Sequence, residues 1–227
     1  EEGWLEVEHK GRHHRFLYPR QVGSLYHTTK IMDTDLLWFY VRMWGLRVTD
    51  LMQGPVYGLF TDENEKDERL LPFFNYDEIF GTVLNRFVVQ AVAEYPLSVF
   101  GKGGQTRGYL NIIDTLNCVR LSVENPAEPA ELRIFNQFTE TFSVNDLAAR
   151  VQEAGAKLEL NVTIQHIENP RLEAEAHYYN PSHTGLLDLG LSPHYLSDDV
   201  LVQMMKYVIK HKDQIKQDQI FRNVKWN

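Results

Sequence analysis

A tyrosine and a lysine near the start of a predicted helix are the residues of this chain best suited to acid–base chemistry. Tyr26 and Lys30 lie four positions apart in the run Ser24-Leu25-Tyr26-His27-Thr28-Thr29-Lys30. That spacing places both side chains on one face of a helix, one turn apart. A phenol is a weak base at neutral pH, but a neighbouring ammonium favours its charged form. Tyr26 is therefore a candidate to take a proton from a substrate hydroxyl while a nicotinamide takes the hydride.

A tyrosine and a lysine at this spacing arise by chance in many chains, so the pair alone is weak evidence. The apolar pattern of the sequence predicts the helix and strand that would position the pair. Apolar residues recur at helical spacing from Leu25 to Val41, and Gly45 supplies a C-terminal stop. The next run, Leu46 to Leu51, is predicted to form a buried strand, and Gln53 to Gly58 the loop that leaves it. Ligands collect at such strand ends in open α/β sheets.

Strands and helices alternate through the rest of the chain, which predicts an α/β fold. Four further strands are predicted at Leu97 to Phe100, Tyr109 to Ile112, Leu132 to Asn136 and Leu160 to Ile167. The predicted helices are Gly81 to Tyr95, one capped by Asp114 that carries Cys118, one from Ser143 to Gly155, and a final one capped by Ser197. The acidic segment from Thr61 to Asn75 is predicted to be a surface insertion or a lid.

Composition narrows the class of protein. The chain has 227 residues, 43% of them hydrophobic, which suits one large domain or two small ones. No apolar stretch approaches the ~20 residues of a membrane span and no signal segment opens the chain, so we expect a soluble protein that is not secreted. A net charge of −8 argues against nucleic acid as the main partner. Cys118 is the single cysteine and is predicted to be a small buried apolar residue.

Three histidines near the start of the chain raise the question of a metal site. His9, His13 and His14 lie in a segment of alternating polar and apolar residues, from Trp4 to Leu17, with Gly11 at its centre. That pattern is typical of a hairpin exposed to solvent. A solvated hairpin face is the favoured interpretation, with a zinc site as the alternative.

A nicotinamide dinucleotide normally binds at a glycine-rich turn between a strand and a helix, with an acidic residue ~20 positions further on. No Gly-x-Gly-x-x-Gly run occurs in this chain, and the loop from Gly101 to Gly108 lacks the spacing. The catalytic pair therefore stands in a sequence that carries no dinucleotide fingerprint.

Several longer runs resemble the extended short-chain dehydrogenase/reductases, the family of sugar-nucleotide epimerases and dehydratases. The resemblance covers nearly the whole chain and matches the later two thirds of such enzymes. The runs that carry it are Leu17-Tyr18-Pro19 leading into Tyr26 to Lys30, Trp44 to Leu51, Gln53 to Gly58, Phe80 to Phe87, Val99 to Leu110, Phe135 to Glu140, Asn169-Pro170-Arg171 and His177 to Asn180. The loop Gly101 to Gly108 and the run Phe135 to Glu140 are the most specific, and resemble the members that build a sulfonated sugar nucleotide for sulfolipid.

The fold implied by this resemblance is a partial Rossmann-like doubly wound sheet plus a smaller C-terminal substrate-binding α/β region. Residues 1–58 would end the Rossmann-like domain and carry the Tyr26 helix, and residues 59–227 would mainly bind the UDP-sugar. The implied reaction joins UDP-glucose and sulfite, with tightly held NAD oxidising the sugar at C4 and later returning the hydride. The implied setting is a homodimer in a bacterial cytoplasm, or alternatively in a plastid stroma.

The resemblance also implies roles for individual residues. Tyr26 would be the base at O4, Lys30 would hold the nicotinamide ribose, and Val56 would lie against the nicotinamide. Arg107 would clamp the diphosphate, a role that suits an arginine on a glycine-rich loop. The remaining substrate-binding candidates are Gln53, Thr82, Asn85, Arg86, Arg171 and Glu173, with Glu175 as an alternative to Glu173. His27 could bind sulfite or sugar, or simply pack, and Arg86 could instead pair with the acidic insertion.

One departure from the family pattern limits these expectations. The dinucleotide-binding half and the threonine that completes the catalytic pair would lie upstream of Glu1, so we expect the chain alone not to bind NAD tightly. Two alternatives remain open at this point. One is another NAD-dependent UDP-sugar epimerase or dehydratase, and the other is a non-catalytic UDP-sugar-binding remnant.

Overall fold

The structure is a computed structural model, and it describes residues 4–17, 22, 24–77, 79–169 and 179–220. These residues divide into two compact units. Unit 1 consists of Glu1–Asp50 and Pro126–Ile134, and unit 2 consists of Leu51–Asn125 and Phe135–Asn227, each within the described residues. Among these residues no helix is long and apolar enough to cross a membrane.

Nine strands form four small sheets in the described residues. The strands are β1 (Trp4–His9), β2 (Arg12–Leu17), β3 (Val48–Gln53), β4 (Val56–Tyr57), β5 (Leu97–Phe100), β6 (Thr106–Asn111), β7 (Leu132–Gln137), β8 (Glu140–Ser143) and β9 (Ile164–Ile167). β1 pairs with β2 and β3 with β7, whereas β6 lies between β4 and β8. The β4–β6 and β5–β9 pairs are parallel and the β6–β8 pair is antiparallel. Parallel pairs joined through helices confirm the α/β, Rossmann-like class.

Seven α-helices lie in the described residues, and the five longer ones begin at side-chain caps that the sequence supplies. The seven helices are α1 (Leu25–Trp44), α2 (Val83–Val92), α3 (Ile112–Glu124), α4 (Val144–Ala156), α5 (Gly185–Asp188), α6 (Asp198–Lys210) and α7 (Gln217–Ile220). Ser24 caps α1, Thr82 caps α2, and Ser143 forms a reciprocal capping box with Asp146 at α4. Each cap satisfies a backbone N–H that the first helical turn leaves unpaired.

The main core belongs to unit 2 and lies where α2, α4 and α6 pack together against the short strands. α2 is buried along nearly its whole length, from Leu84 to Val92. Leu201, Met204, Met205 and Val208 form the buried stripe of α6, whereas Ile209 is 41% exposed. Burial of these apolar side chains is the dominant force that holds unit 2 together.

Helix α1 of unit 1 has the predicted length, and most of its large apolar side chains are exposed. Gly45 ends it in the left-handed region, at φ 63°, and its N–H donates to the carbonyl of Val41. Within the helix only Thr34 and Val41 are buried. The exposed large apolar side chains are Leu25, Tyr26, Met32, Leu36, Trp38, Phe39, Met43 and Trp44. The apolar pattern therefore predicted the extent of α1 correctly, and the apolar side chains of this helix are exposed in this chain.

Several predicted boundaries were wrong. β3 begins at Val48 and runs through Gln53, and it is half-buried rather than buried. β6 is Thr106–Asn111 instead of Tyr109 to Ile112, and β9 begins at Ile164 rather than at Leu160. Asp114 does not cap α3: the Asn111 side chain accepts the Ile113 N–H instead, and the Asp114 carboxylate contacts another segment.

Candidate active site

The Tyr26 and Lys30 pair lies on the first turns of α1, where Ser24 sets the start of the helix. The Ser24 Oγ accepts the His27 N–H at 3.2 Å and lies 2.6 Å from the His27 Nδ1. Tyr26 is 66% exposed, and the Lys30 Nζ lies 5.8 Å from the centroid of its ring. Tyr26 is thus exposed to solvent with a cation on the same helix face, and its role as a proton acceptor stays a prediction.

Lys30 has a second partner that the sequence analysis did not assign. Its ammonium donates a hydrogen bond to the Asp33 carboxylate at 2.9 Å, one turn further along α1. This hydrogen bond and the charge of Asp33 raise the pKa of Lys30 above its usual value. Lys30 is therefore held as an ammonium on the face of α1 that carries Tyr26.

The last residue of β3 and the short strand β4 hold Gln53 and Val56 in unit 2. Gln53 is exposed at the end of β3, and Val56 is half-buried in the two-residue strand β4. Between them Gly54 approaches β6 so closely that a Cβ would lie 2.4 Å from the carbonyl oxygen of Gly108. A glycine is required there because no side chain fits between the two backbones. Gln53 therefore projects from a segment that packs tightly on the β6 strand.

The positive charges of two arginines lower the pKa of one buried tyrosine of β6, Tyr109. Arg107 is half-buried on β6, and Arg86, on α2, is 7% exposed with its guanidinium 4.7 Å from the Phe100 ring centroid. Burial raises the pKa of Tyr109 to about 12, and the positive charges of Arg107 and Arg86 oppose that rise. The guanidinium group of arginine matches the oxygens of a phosphate, so Arg107 and Arg86 stay candidates for a diphosphate contact.

Thr82 and Asn85 are engaged with the start of α2. The Thr82 hydroxyl accepts the Asn85 N–H at 3.2 Å, and the Asn85 side chain donates to the carbonyl of Asn75 at 3.1 Å. Thr82 thus begins the helix that carries Arg86, and Asn85 ties that helix to the preceding acidic segment. Their part in binding a substrate stays a prediction.

Some predicted site residues cannot be located. Arg171 and Glu173, with the alternative Glu175, lie outside the described residues.

The histidine segment does form the predicted hairpin, with Glu8 opposite His13 and Lys10 and Gly11 at the turn. Within the part of the chain that the structure describes, no group of three or more His, Cys, Asp or Glu side chains could hold a metal ion. Cys118 is buried, and burial raises the pKa of its thiol.

A partly buried polar network in unit 2 was missed by the sequence analysis. It joins Tyr57, Asp114, Glu140 and His194, residues that are up to 137 positions apart. Asp114 and Glu140 were visible as acidic residues in otherwise apolar surroundings, but nothing in the sequence indicates their partners. The network lies directly beside the segment that carries Gln53 and Val56.

Comparison with solved structures identifies the fold. The chain superposes on UDP-glucuronic acid 4-epimerase from Bacillus cereus, solved with UDP-glucuronic acid and NAD, with a TM-score of 0.63 and 20% identity over 85% of this chain and 55% of that one. It superposes on UDP-glucose 4-epimerase from Thermotoga maritima, solved with UDP-glucose, with a TM-score of 0.63 and 19% identity over 82% and 54%. No protein-family profile matches the chain. The chain thus has the Rossmann-type fold of these nucleotide-sugar epimerases.

Sequence comparison is more specific than the fold. The chain is 51% identical over 226 residues to the chloroplastic UDP-sulfoquinovose synthase of Spinacia oleracea, which covers 100% of this chain and 47% of that protein. It is 43% identical over 226 residues to the UDP-sulfoquinovose synthase of Sulfolobus acidocaldarius, covering 98% of this chain and 57% of that one. Across its whole length the chain is therefore homologous to UDP-sulfoquinovose synthase, and it spans about half the length of these relatives.

Proposed function

We propose that this chain forms the substrate-binding and proton-transfer part of a UDP-sulfoquinovose synthase. The observation that carries the proposal is the 51% identity that extends over the whole chain, from the hairpin to the last helices. Tyr26 with Lys30 supports the proton transfer, and Arg107 with Arg86 supports the binding of a diphosphate.

The proposed reaction converts UDP-glucose and sulfite to UDP-6-sulfoquinovose and water. Tyr26 accepts the proton of the C4 hydroxyl as that carbon is oxidised, and returns it when the carbonyl is reduced. The carbonyl at C4 acidifies the C5 hydrogen, so that the C6 hydroxyl leaves as water. Sulfite then adds to C6 through its sulfur, and C5 recovers a proton. The reaction is redox-neutral overall, because the hydride that leaves C4 returns to it.

The residues present fit the nicotinamide end of NAD, which when bound supplies hydride acceptance and return. Lys30 is an ammonium on the same helix face as Tyr26, which suits a hydrogen bond to ribose hydroxyls. Its ion pair with Asp33 keeps the side chain charged and oriented along α1. Val56 offers a half-buried apolar surface beside the exposed Gln53, suited to a flat aromatic ring.

The UDP part of the substrate is assigned to unit 2. Arg107 and Arg86 would neutralise the diphosphate, and Gln53 would contact the adjoining sugar. Arg171 and Glu173 remain candidates for the second phosphate contact and for the uridine ribose. Charged donors of this kind stabilise a bound phosphate more strongly than neutral ones.

The test is formation of UDP-sulfoquinovose by the protein isolated from its native source, in whatever assembly it forms. UDP-glucose, sulfite and NAD are supplied, and the product is measured by mass spectrometry with and without sulfite. Tyr26→Phe should reduce kcat by about 100- to 10,000-fold, because a general base is lost. Tyr40→Phe, on the same helix, is the matched control and should retain activity.

Three outcomes separate the candidate functions. Product that depends on sulfite supports the synthase. Product without sulfite, such as the C4 epimer, supports another UDP-sugar epimerase or dehydratase. UDP binding without any hydride chemistry, in an assembly that binds NAD, supports a non-catalytic UDP-sugar-binding protein.

We also expect the homodimer that the family resemblance implies. The exposed apolar side chains of α1 provide a surface that such an assembly could cover. Sedimentation velocity of the native protein measures this directly. A bacterial cytoplasm or a plastid stroma remains the expected compartment.

A further inference from the structure

The segment from His194 to Leu196, which precedes α6, is held by side chains from other elements. The His194 N–H donates to the Asp114 Oδ2 at 2.8 Å, and the His194 Nδ1 lies 2.7 Å from the Asp114 Oδ1. The Leu196 N–H donates to the Glu140 Oε1 at 2.7 Å. The Asp114 side chain is fully buried. One buried carboxylate, Asp114, and one half-buried carboxylate, Glu140, therefore hold one short segment, and each accepts hydrogen bonds from it.

The carbonyl groups of the same segment are also satisfied by side chains. The Arg150 Nη1 donates to the Leu196 carbonyl at 3.2 Å. The Tyr57 hydroxyl lies 2.9 Å from the His194 carbonyl oxygen and 2.6 Å from the Glu140 Oε1. Tyr57 thus joins the segment and one of its carboxylates to β4.

Tyr57 is a donor in this network and not an acid–base group. Its side chain is 1% exposed. Burial raises the pKa of Tyr57 far above its usual value, and its hydrogen bond to Glu140 adds to that rise. The phenol is therefore protonated at neutral pH. The hydroxyl reaches from β4 to β8, the outer strands of the three-stranded sheet, with β6 between them.

The segment that Tyr57 could hold in place is the one proposed to touch the substrate. Val56 precedes Tyr57 directly, and Gln53 lies three residues before Val56. Gln53 is the last residue of β3, which pairs with β7, whereas β4 is only two residues long and its pairing fixes little of the segment after Gln53. Two further backbone hydrogen bonds hold it, from the Gly54 N–H to the Gln137 carbonyl and from the Leu110 N–H to the Pro55 carbonyl. The side chain of Tyr57 is thus the deepest anchor at the end of the segment.

From this geometry we propose that Tyr57 is a positioning residue of the synthase, acting on Gln53 and Val56. Its hydrogen bonds to Glu140 and to the His194 carbonyl fix the backbone from Gln53 to Tyr57, so that the amide of Gln53 and the apolar side chain of Val56 are presented in one arrangement. The effect on the reaction depends on the proposed function, whereas the effect on the segment does not.

Hydrogen exchange measures the effect on the segment without any need for activity. A hydrogen bond to a charged group stabilises its partner enough to change a local opening equilibrium by roughly 10- to 100-fold. Tyr57→Phe should therefore speed amide exchange at residues 53–57 and 194–196 by about that factor, and leave α2 and α4 unchanged. Tyr76→Phe is the matched control, because it also removes a hydroxyl that is hydrogen-bonded, to the Lys216 N–H at 2.8 Å, in a different part of unit 2. It should leave residues 53–57 unchanged.

Kinetics of the native assembly then test the positioning role. Tyr57→Phe should lower kcat by about tenfold or more while the affinity for UDP, measured by calorimetry, stays within twofold. Glu140→Gln keeps an oxygen acceptor and should lie between wild type and Tyr57→Phe in both measurements. Unchanged exchange at residues 53–57, or an equal increase over the whole of unit 2, would overturn the proposal. If Tyr57→Phe speeds local exchange but the wild type forms no sulfite-dependent product, Tyr57 still anchors this segment. In that case the proposed synthase function is refuted.

Discussion

Replacing Gly108 tests the close packing beneath the proposed diphosphate arginine. Gly108 follows Arg107 on β6, and a Cβ at this position would lie 2.4 Å from the Cγ and 2.7 Å from the Cδ2 of Phe138. The Phe138 side chain is 5% exposed, and its ring stacks on His183 at a centroid distance of 4.4 Å. The ring therefore has little room to move away from an added methyl group.

The size of the effect follows from that overlap. Ordinary Cβ contacts begin at 3.4 Å, so Gly108→Ala requires a displacement of about 1 Å between β6 and the Phe138 ring. Overpacking of this kind costs about 1–3 kcal/mol. Gly108 does not have a left-handed backbone, so alanine also restricts the unfolded chain and offsets the cost by about 0.4–1 kcal/mol. We expect a net destabilisation of about 1–2 kcal/mol.

A double-mutant cycle in urea isolates the steric term. Phe138→Ala alone removes a buried ring and should cost about 3–5 kcal/mol. In that background Gly108→Ala no longer meets the ring, and should be neutral or stabilising by up to about 1 kcal/mol. The coupling energy should therefore be about 1–3 kcal/mol. An equal cost of Gly108→Ala in both backgrounds would refute the packing argument.

Two further predictions concern ligand binding and acid stability. Arg107→Ala should weaken UDP binding about 10- to 100-fold in calorimetry, because a charge-assisted contact is lost, whereas Arg120→Ala, which removes an exposed arginine paired with Glu124, should leave the affinity unchanged. Asp146 accepts hydrogen bonds from the Ser143 hydroxyl and N–H, and they hold the pKa of its carboxyl below the usual value. Its contribution to the free energy of unfolding is present above the unfolded-state pKa of about 3.9 and is lost as pH falls through the lower folded value. Asp146→Asn should thus cost about 0.5–2 kcal/mol at pH 7 and little at pH 2.

Each of these has a clear contrary result. Equal loss of UDP affinity in the two arginine variants would show that general charge, and not Arg107, governs binding. A cost of Asp146→Asn that is the same at pH 7 and pH 2 would exclude the carboxylate as the source of the stabilisation.

Local patterns predicted the elements whose ends are fixed by their own residues. Ser24 and Gly45 bound α1, and Ser143 with Asp146 begins α4, because caps and left-handed glycines act within a few residues. The Lys30 ammonium beside the Tyr26 ring was predictable for the same reason, since a spacing of four residues is enough to place both side chains together.

Strand boundaries were less predictable, and the error at β3 shows why. A strand ends where its hydrogen-bonded neighbour ends, and the neighbour of β3 is β7, more than 80 residues away. Asp114 was misassigned for a related reason. A polar residue near the start of a helix can cap that helix or bind a different segment. The Asp114 carboxylate accepts a hydrogen bond from the His194 N–H, 80 residues further along the chain.

The sequence by itself determined the α/β class, the capping box of α4, the placement of Tyr26 and Lys30 on one helix face and the resemblance to a family, because each depends on residue types at short spacing. Only the tertiary structure decided that the charges of Arg86 and Arg107 both lower the pKa of Tyr109. It also decided that the Phe138 ring packs on Gly108, and that the Tyr57 hydroxyl is hydrogen-bonded to Glu140 across a strand. Gly108 and Phe138 are 30 positions apart in the sequence, and Tyr57 and Glu140 are 83 positions apart. These contacts arise from burial of a shared core, which is set by the whole chain and leaves no local pattern to read.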